Sequence, residues 1–218
     1  MTHKSRSFAF LHIPKCAGTS VISWLYNSAT FGYRIIKYYP VYKTQRNPVR
    51  VPSNSKIIIA GHFLRHMGTN TEVVLPHDIP YVTLLRDPVD VLISFYNWSK
   101  KSRHSWTSFV NLEQFLVDFV LSSTKQKYLQ SPLLDALPLR SDQETIHDYC
   151  SRFSIIETTD NLHIFKAKIE AIIGFQLPEI PHMNKSSSSL ISTDIRSQLQ
   201  NVLHDDYELF NHVLSRGS

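Results

Sequence analysis

Lys15, Gly18, Thr19 and Ser20 fall close together in residues 8–20, FAFLHIPKCAGTS. An apolar run, a turn holding Pro14 and Gly18, and a helix start read as strand, turn and helix. That arrangement aims several backbone N–H groups and the positive end of a helix dipole at one spot. Lys15 adds a full charge, and Thr19 and Ser20 add hydroxyl donors. The chemistry is capture of an anion, with Lys15, Cys16, Ala17, Gly18, Thr19 and Ser20 as the candidate binding loop. The pattern is not GxxxxGK[ST]. Here the lysine precedes the glycine by three residues and Gly18 is followed by Thr-Ser, so the usual lysine for β- and γ-phosphates has no counterpart. A plain strand-to-helix connection would need only one capping hydroxyl, fewer donors than this segment carries.

A second segment, residues 81–98, reads YVTLLRDPVDVLISFYNW. Arg86 ends an apolar strand, Asp87 is a candidate N-cap, and Pro88 suits the first helical position. Ser94 lies eight residues after Arg86, two turns into the helix. The planar fork of Arg86 and the Ser94 hydroxyl could together hold a second phosphate. Alone, Arg-Asp-Pro would read as a capped helix with a surface arginine. Its value lies in following the first cradle at a βαβ distance. His62 comes after the run KIIIA, and the sites of open parallel sheets lie at the carboxyl ends of strands. Alone, it would read as a histidine hydrogen-bonded in a loop. His66 is at i+4 from His62, a metal-pair spacing, but no Glu intervenes and no third ligand is evident, so no metal is expected. His12 reads as support for the anion loop. Tyr38, Tyr39 and Tyr42 could stack on a sugar or simply pack.

The elements that must position these residues follow from the apolar pattern. Residues 7–12, 56–60, 81–85 and 153–157 are short, nearly continuous apolar runs, as in the buried strands of a parallel sheet. Helical spacing marks residues 19–29, the stretch from Pro88, the set Phe109, Leu112, Leu116, Phe119 and Val120, and the set Leu162, Phe165, Ile169 and Ile172. The last set starts after Asp160 and ends at Gly174. Alternating strands and helices predict an α/β fold, a nucleotide-kinase-like (P-loop type) parallel β-sheet flanked by helices. Residues 40–55, 123–142 and 175–190 read as loops, the last of them before two C-terminal helical patterns.

Composition narrows the classes further. The 218 residues fit a single domain over 1–218, long enough to bury a core without staples. With 42% hydrophobic and 19% charged residues the chain is globular rather than disordered. Cys16 and Cys150 are the only cysteines and form no CxxC pair, which excludes a disulfide framework and a cysteine-rich zinc site. No run approaches the roughly 18 apolar residues of a membrane span, and the N-terminal apolar stretch is too short for a signal peptide. A cytoplasmic protein without a membrane span is the expectation. The 23 Lys and Arg exceed the 18 Asp and Glu, for a net +5. Ten of those basic residues and none of the acidic ones precede Glu72. An all-positive first third suits an anionic partner. Its charges are scattered, which argues against a nucleic-acid arm.

Taken together, HIPKCAGTS and RDPVDVLISFY resemble the PAPS-dependent sulfotransferases, in their carbohydrate-type branch, the heparan sulfate 2-O-sulfotransferase family. The first looks like the family's 5′-phosphosulfate loop and the second like its 3′-phosphate segment. AGHF at 60–63 resembles its histidine motif, SIIETTDNL its later strand and acidic turn, PHMNKSS its cofactor-closing loop, and DDYELFNHV its last helix. The resemblance spans about residues 7–213. It implies PAPS as co-substrate, no metal, and a hydroxyl acceptor on a glycan or other small molecule. Lys15 would stabilise the leaving phosphate, His62 would be the general base, and Lys185 and Ser186 would close over the nucleotide. Cys16 stands where the family usually has Thr, which would remove a hydroxyl near the sulfonate. Val91 stands where Arg is common, a change expected to act on helix packing. An ATP-dependent phosphotransferase and a non-catalytic polyanion binder are the alternative readings.

Overall fold

Phe8 and Phe10 of strand β1 (Phe8–Leu11) are buried on one face of the sheet, and Ala9 and Leu11 on the other. A strand apolar on both faces must be covered on both, and the rest of the chain supplies the cover. The computed structural model describes residues 7–38, 55–62, 79–101, 111–121, 131–137, 141, 143–181, 183 and 191–216. Lys185, Ser186, His66, Tyr39, Tyr42 and Phe109 lie outside these residues.

Among the described residues, five parallel strands form the sheet: β1, β2 (Arg34–Tyr38), β3 (Ile57–Gly61), β4 (Tyr81–Leu85) and β5 (Ile155–Thr158). Their spatial order is β2-β3-β1-β4-β5. The α/β fold with a parallel sheet flanked by helices is thus the one the sequence predicts. One strand was not foreseen: β2 lies at an edge and carries Arg34 and Lys37, so it lacks the continuous apolar run of the other four.

Helices α1 (Gly18–Leu25) and α5 (Leu162–Ile173) cover the Phe8 face through Val21, Trp24, Leu25, Phe165 and Ile169. The Leu11 face packs against Tyr149 and Cys150 of α4 (Ile146–Ser151) and Leu209, Phe210 and Val213 of α7 (His204–Arg216). A third cluster joins α2 (Pro88–Lys101), α3 (Leu112–Gln114, continuing as the π-helical turn Phe115–Leu121) and α6 (Thr193–Val202).

Three local features differ from the sequence reading. The predicted helix over 19–29 ends at Leu25 and tightens into a 3₁₀ turn, Tyr26–Phe31. Ser28 and Thr30 hydroxyls donate to the carbonyls of Leu25 and Asn27 there and compete with regular helical bonding. Helix α4 had no counterpart in the reading. The predicted loop over 123–142 contains a 3₁₀ turn, Leu134–Ala136, whose approach is held by the buried Asp206 carboxylate. It accepts the Leu133 and Leu134 amides at 2.9 and 3.1 Å, while burial pushes its pKa up to about 7. Among the described residues, no helix is long and apolar enough to cross a membrane.

Candidate active site

The strand order places β1 in the middle, with β3 on one side and β4 on the other. The chain therefore changes direction at β1, and a crevice opens at the carboxyl ends of the neighbouring strands. The segments leaving β1, β3, β4 and β5 carry His12, His62, Arg86 and Thr159, and all four residues line one cleft of about 560 Å³.

The loop from β1 to α1 holds two left-handed residues that are not glycine, Lys15 (φ 67°) and Ala17 (φ 58°). Each such residue costs roughly 1–2 kcal/mol. Strain of this kind persists where the surroundings impose it and often marks a functional turn. Ala17 is the N-cap of α1 and has no side chain to occupy the first helical amides. The amides of Gly18, Thr19 and Ser20 thus stand at a helix start without a side-chain cap, the arrangement that favours an anion. Gly18 must be glycine for a separate reason. A Cβ there would lie 1.7 Å from Cδ2 of His12 and 1.9 Å from its Nε2. We expect Gly18→Ala to displace the His12 ring and cost about 1–3 kcal/mol. Thermal unfolding measures this; an unchanged Tm would show that the ring moves aside freely.

Lys15 lines the cleft, and its ammonium lies 5.5 Å from the ring centroid of Trp98. Burial, then the positive charges of Arg86 and Lys101, hold its pKa below the ordinary lysine value. The same electropositive surroundings would welcome an anion. Arg86 reaches across to the loop, its Nη1 3.5 Å from the Lys15 carbonyl, so the two predicted cradles adjoin. Asp87 caps α2 by accepting the Asp90 amide at 3.0 Å, as the sequence predicts. Ser94 lies two turns along α2 and faces the same cleft.

His62 is fixed by the main chain. Its Nδ1 is 2.5 Å from the His12 carbonyl. A carbonyl can only accept, so Nδ1 carries the proton and the neutral ring has its lone pair on Nε2. The parallel register that pairs Leu11 with Gly61 brings the next residues, His12 and His62, together. Their rings stack at 4.5 Å between centroids.

The cleft thus gathers Lys15, Ala17, Gly18, Thr19, Ser20, His62, Arg86 and Ser94 from the predicted set. Cys16 departs from it. Its side chain is buried in the core beneath the loop, among the residues packed on the Leu11 face. Burial pushes the thiol up to about 12, and the Arg86 backbone N–H donates to its sulfur. Cys16 thus does not line the cleft. Val91 is buried in the same core, a packing position. Lys185 and Ser186 lie outside the described residues, but Met183 lines the cleft and its amide donates to the Ser20 hydroxyl at 3.1 Å.

The reading missed Trp98, Asp90 and Asp160 as cleft residues. A signal existed for the first two. Trp98 follows Ser94 by four residues, the spacing of neighbours on one helix face, and Asp90 falls in the first turn after the Arg86-Asp87-Pro88 helix start.

No protein-family model matches the chain, and no curated protein matches it. A solved structure does: a sulfotransferase from Alicyclobacillus acidocaldarius, with a TM-score of 0.55 over 96% of each chain. The two sequences are 14% identical, so the likeness is one of fold.

Proposed function

We propose that the protein is a sulfotransferase that uses PAPS as sulfonate donor and a hydroxyl, on a carbohydrate by the sequence resemblance, as acceptor. One observation carries the reading: the residues proposed for two anion cradles, Lys15, Ala17, Gly18, Thr19 and Ser20 in one and Arg86 and Ser94 in the other, line a single cleft that also contains His62. PAPS bears a phosphosulfate at one end of its ribose and a phosphate at the other, so a site for it needs two such cradles. The fold shared with a sulfotransferase supports the reading.

PAPS, when bound, supplies the sulfonate. In this reading the Lys15 ammonium and the amides at the start of α1 hold the 5′ side and balance the charge that gathers on the leaving phosphate. Arg86 and Ser94 hold the 3′-phosphate. Nε2 of His62 takes the proton of the acceptor hydroxyl. Lys185 and Ser186 complete the reading as residues that close over the nucleotide. The acceptor is chosen by residues 40–55 and 103–142.

Thermal shifts with PAP, ADP and ATP test the proposal. PAP at a hundredfold excess over its Kd should stabilise the fold by about 2.7 kcal/mol, and ADP at the same concentration by less. Arg86→Ala should erase most of that difference. Equal shifts for PAP and ADP would reject the 3′-phosphate site. A larger shift with ATP would favour a phosphotransferase, and stabilisation by sulfated polymer alone would favour a polyanion binder.

A further inference from the structure

The second anion cradle is braced from the C-terminal helices. Nη2 of Arg196, on α6, donates to Oδ1 of Asp90 at 3.1 Å, and its Nη1 lies 3.5 Å from Oδ1 of Asp87. Tyr207, on α7, donates its hydroxyl to Asp87, at 3.1 and 3.0 Å from the two oxygens. The other oxygen of Asp90 is 3.9 Å from Nη2 of Arg86. Asp90 therefore lies between two guanidinium groups, close to Arg196 and at the edge of contact with Arg86.

This arrangement answers a problem that the cleft otherwise has. Asp87 and Asp90 line it together with Arg86. Carboxylates beside a phosphate repel it, and more strongly than in bulk water. An unbalanced Asp90 would also compete for Arg86, since a carboxylate takes an arginine fork in two parallel hydrogen bonds as readily as a phosphate does. Arg86 stands two residues before α2 and Asp90 in its first turn, four residues apart, which leaves the two side chains within 3.9 Å. Arg196 engages Asp90 from the other side and neutralises it.

We infer, on the reading that this cleft binds PAPS, that Arg196 is a positioning residue for the 3′-phosphate: it holds Asp90 off Arg86, so that the Arg86 guanidinium can engage the nucleotide. Arg196 does not line the cleft and acts through Asp90. It sets the preference for a nucleotide with a 3′-phosphate over one without.

Titration calorimetry with PAP and ADP on the full chain tests this. Arg196→Ala should weaken PAP by about tenfold or more, the equivalent of about 1.4 kcal/mol, and ADP by much less. Adding Asp90→Asn to that variant removes the competing charge and should restore most of the PAP affinity. Arg196→Gln, which keeps a donor near Asp90 without the charge, should shift PAP in the same direction, so the result does not hang on the folding of the alanine variant. If Arg196 merely clamps α6 to α2, both nucleotides weaken alike and Asp90→Asn restores nothing; either result overturns the inference. An unsubstituted protein that binds PAP and ADP equally overturns the reading of the site, and the inference with it.

Discussion

Lys15→Ala should lower kcat by on the order of 10² or more, while the PAPS KM rises much less. The lysine is one of several groups that would hold the 5′ end; the amides at the start of α1 and the Arg86 cradle remain after its removal. On the proposed reading, binding therefore has substitutes, but a full positive charge beside the leaving oxygen does not. That charge is worth most when negative charge gathers there, which happens in the transition state rather than the ground state. The pH profile offers a second check. The protonated form is the useful one, so activity should fall as pH rises through the Lys15 pKa. Burial, Arg86 and Lys101 hold that pKa below the ordinary value of 10.5. An alkaline limb should thus enter below the usual lysine range in the kcat/KM profile, and Lys15→Ala should abolish it. An unchanged kcat with a large rise in KM would make Lys15 a binding residue only.

The parts of this site that were legible in the sequence are those built by contiguous residues. A strand, a turn and a helix start form the proposed first cradle within residues 8–20, and the order of residue types there is enough to bring Lys15, Gly18, Thr19 and Ser20 to the cleft. Arg86, Asp87 and Pro88 are likewise neighbours, and the cap they announce forms as expected. Cys16 shows where such reading stops. The direction of a loop side chain depends on backbone angles, and left-handed Lys15 and Ala17 turn the chain so that residue 16 faces the core. No residue type in the loop announces that turn, since neither is glycine. Edge strand β2 escaped notice because exposed, basic residues, Arg34 and Lys37, interrupt its apolar pattern.

Contacts between distant parts of the chain were not legible at all. Arg196 meets Asp90 across 106 residues, and Tyr207 meets Asp87 across 120. Asp87 reads locally as a helix cap and is one, and Asp90 stands in the first turn of the same helix. Their second role arises only when α6 and α7 pack against the start of α2, which is a property of the assembled fold. The same holds for Gly18, whose missing side chain makes room for the His12 ring rather than for a positive φ.

His62→Ala should lower kcat by roughly 10² to 10⁴, with PAP binding retained. On the proposed reading the acceptor hydroxyl must lose its proton as its oxygen bonds to sulfur, and the Nε2 lone pair of His62 would receive it. The geometry that fixes this lone pair is a main-chain contact, Nδ1 to the His12 carbonyl. His12→Ala keeps that carbonyl and removes only the stacked ring, so its loss should be clearly smaller than that of His62→Ala. His62→Asn can hold a hydrogen bond to the acceptor but cannot take up a proton at neutral pH, and should be nearly as damaged as the alanine variant. A base acts in its neutral form, so kcat/KM should rise with pH along an acid limb that His62→Ala removes. Retention of that limb in His62→Ala, or a greater loss in His12→Ala, would move the base elsewhere. The nucleotide site would stand in either case, because the predicted phosphate contacts are made by Lys15, the α1 amides, Arg86 and Ser94.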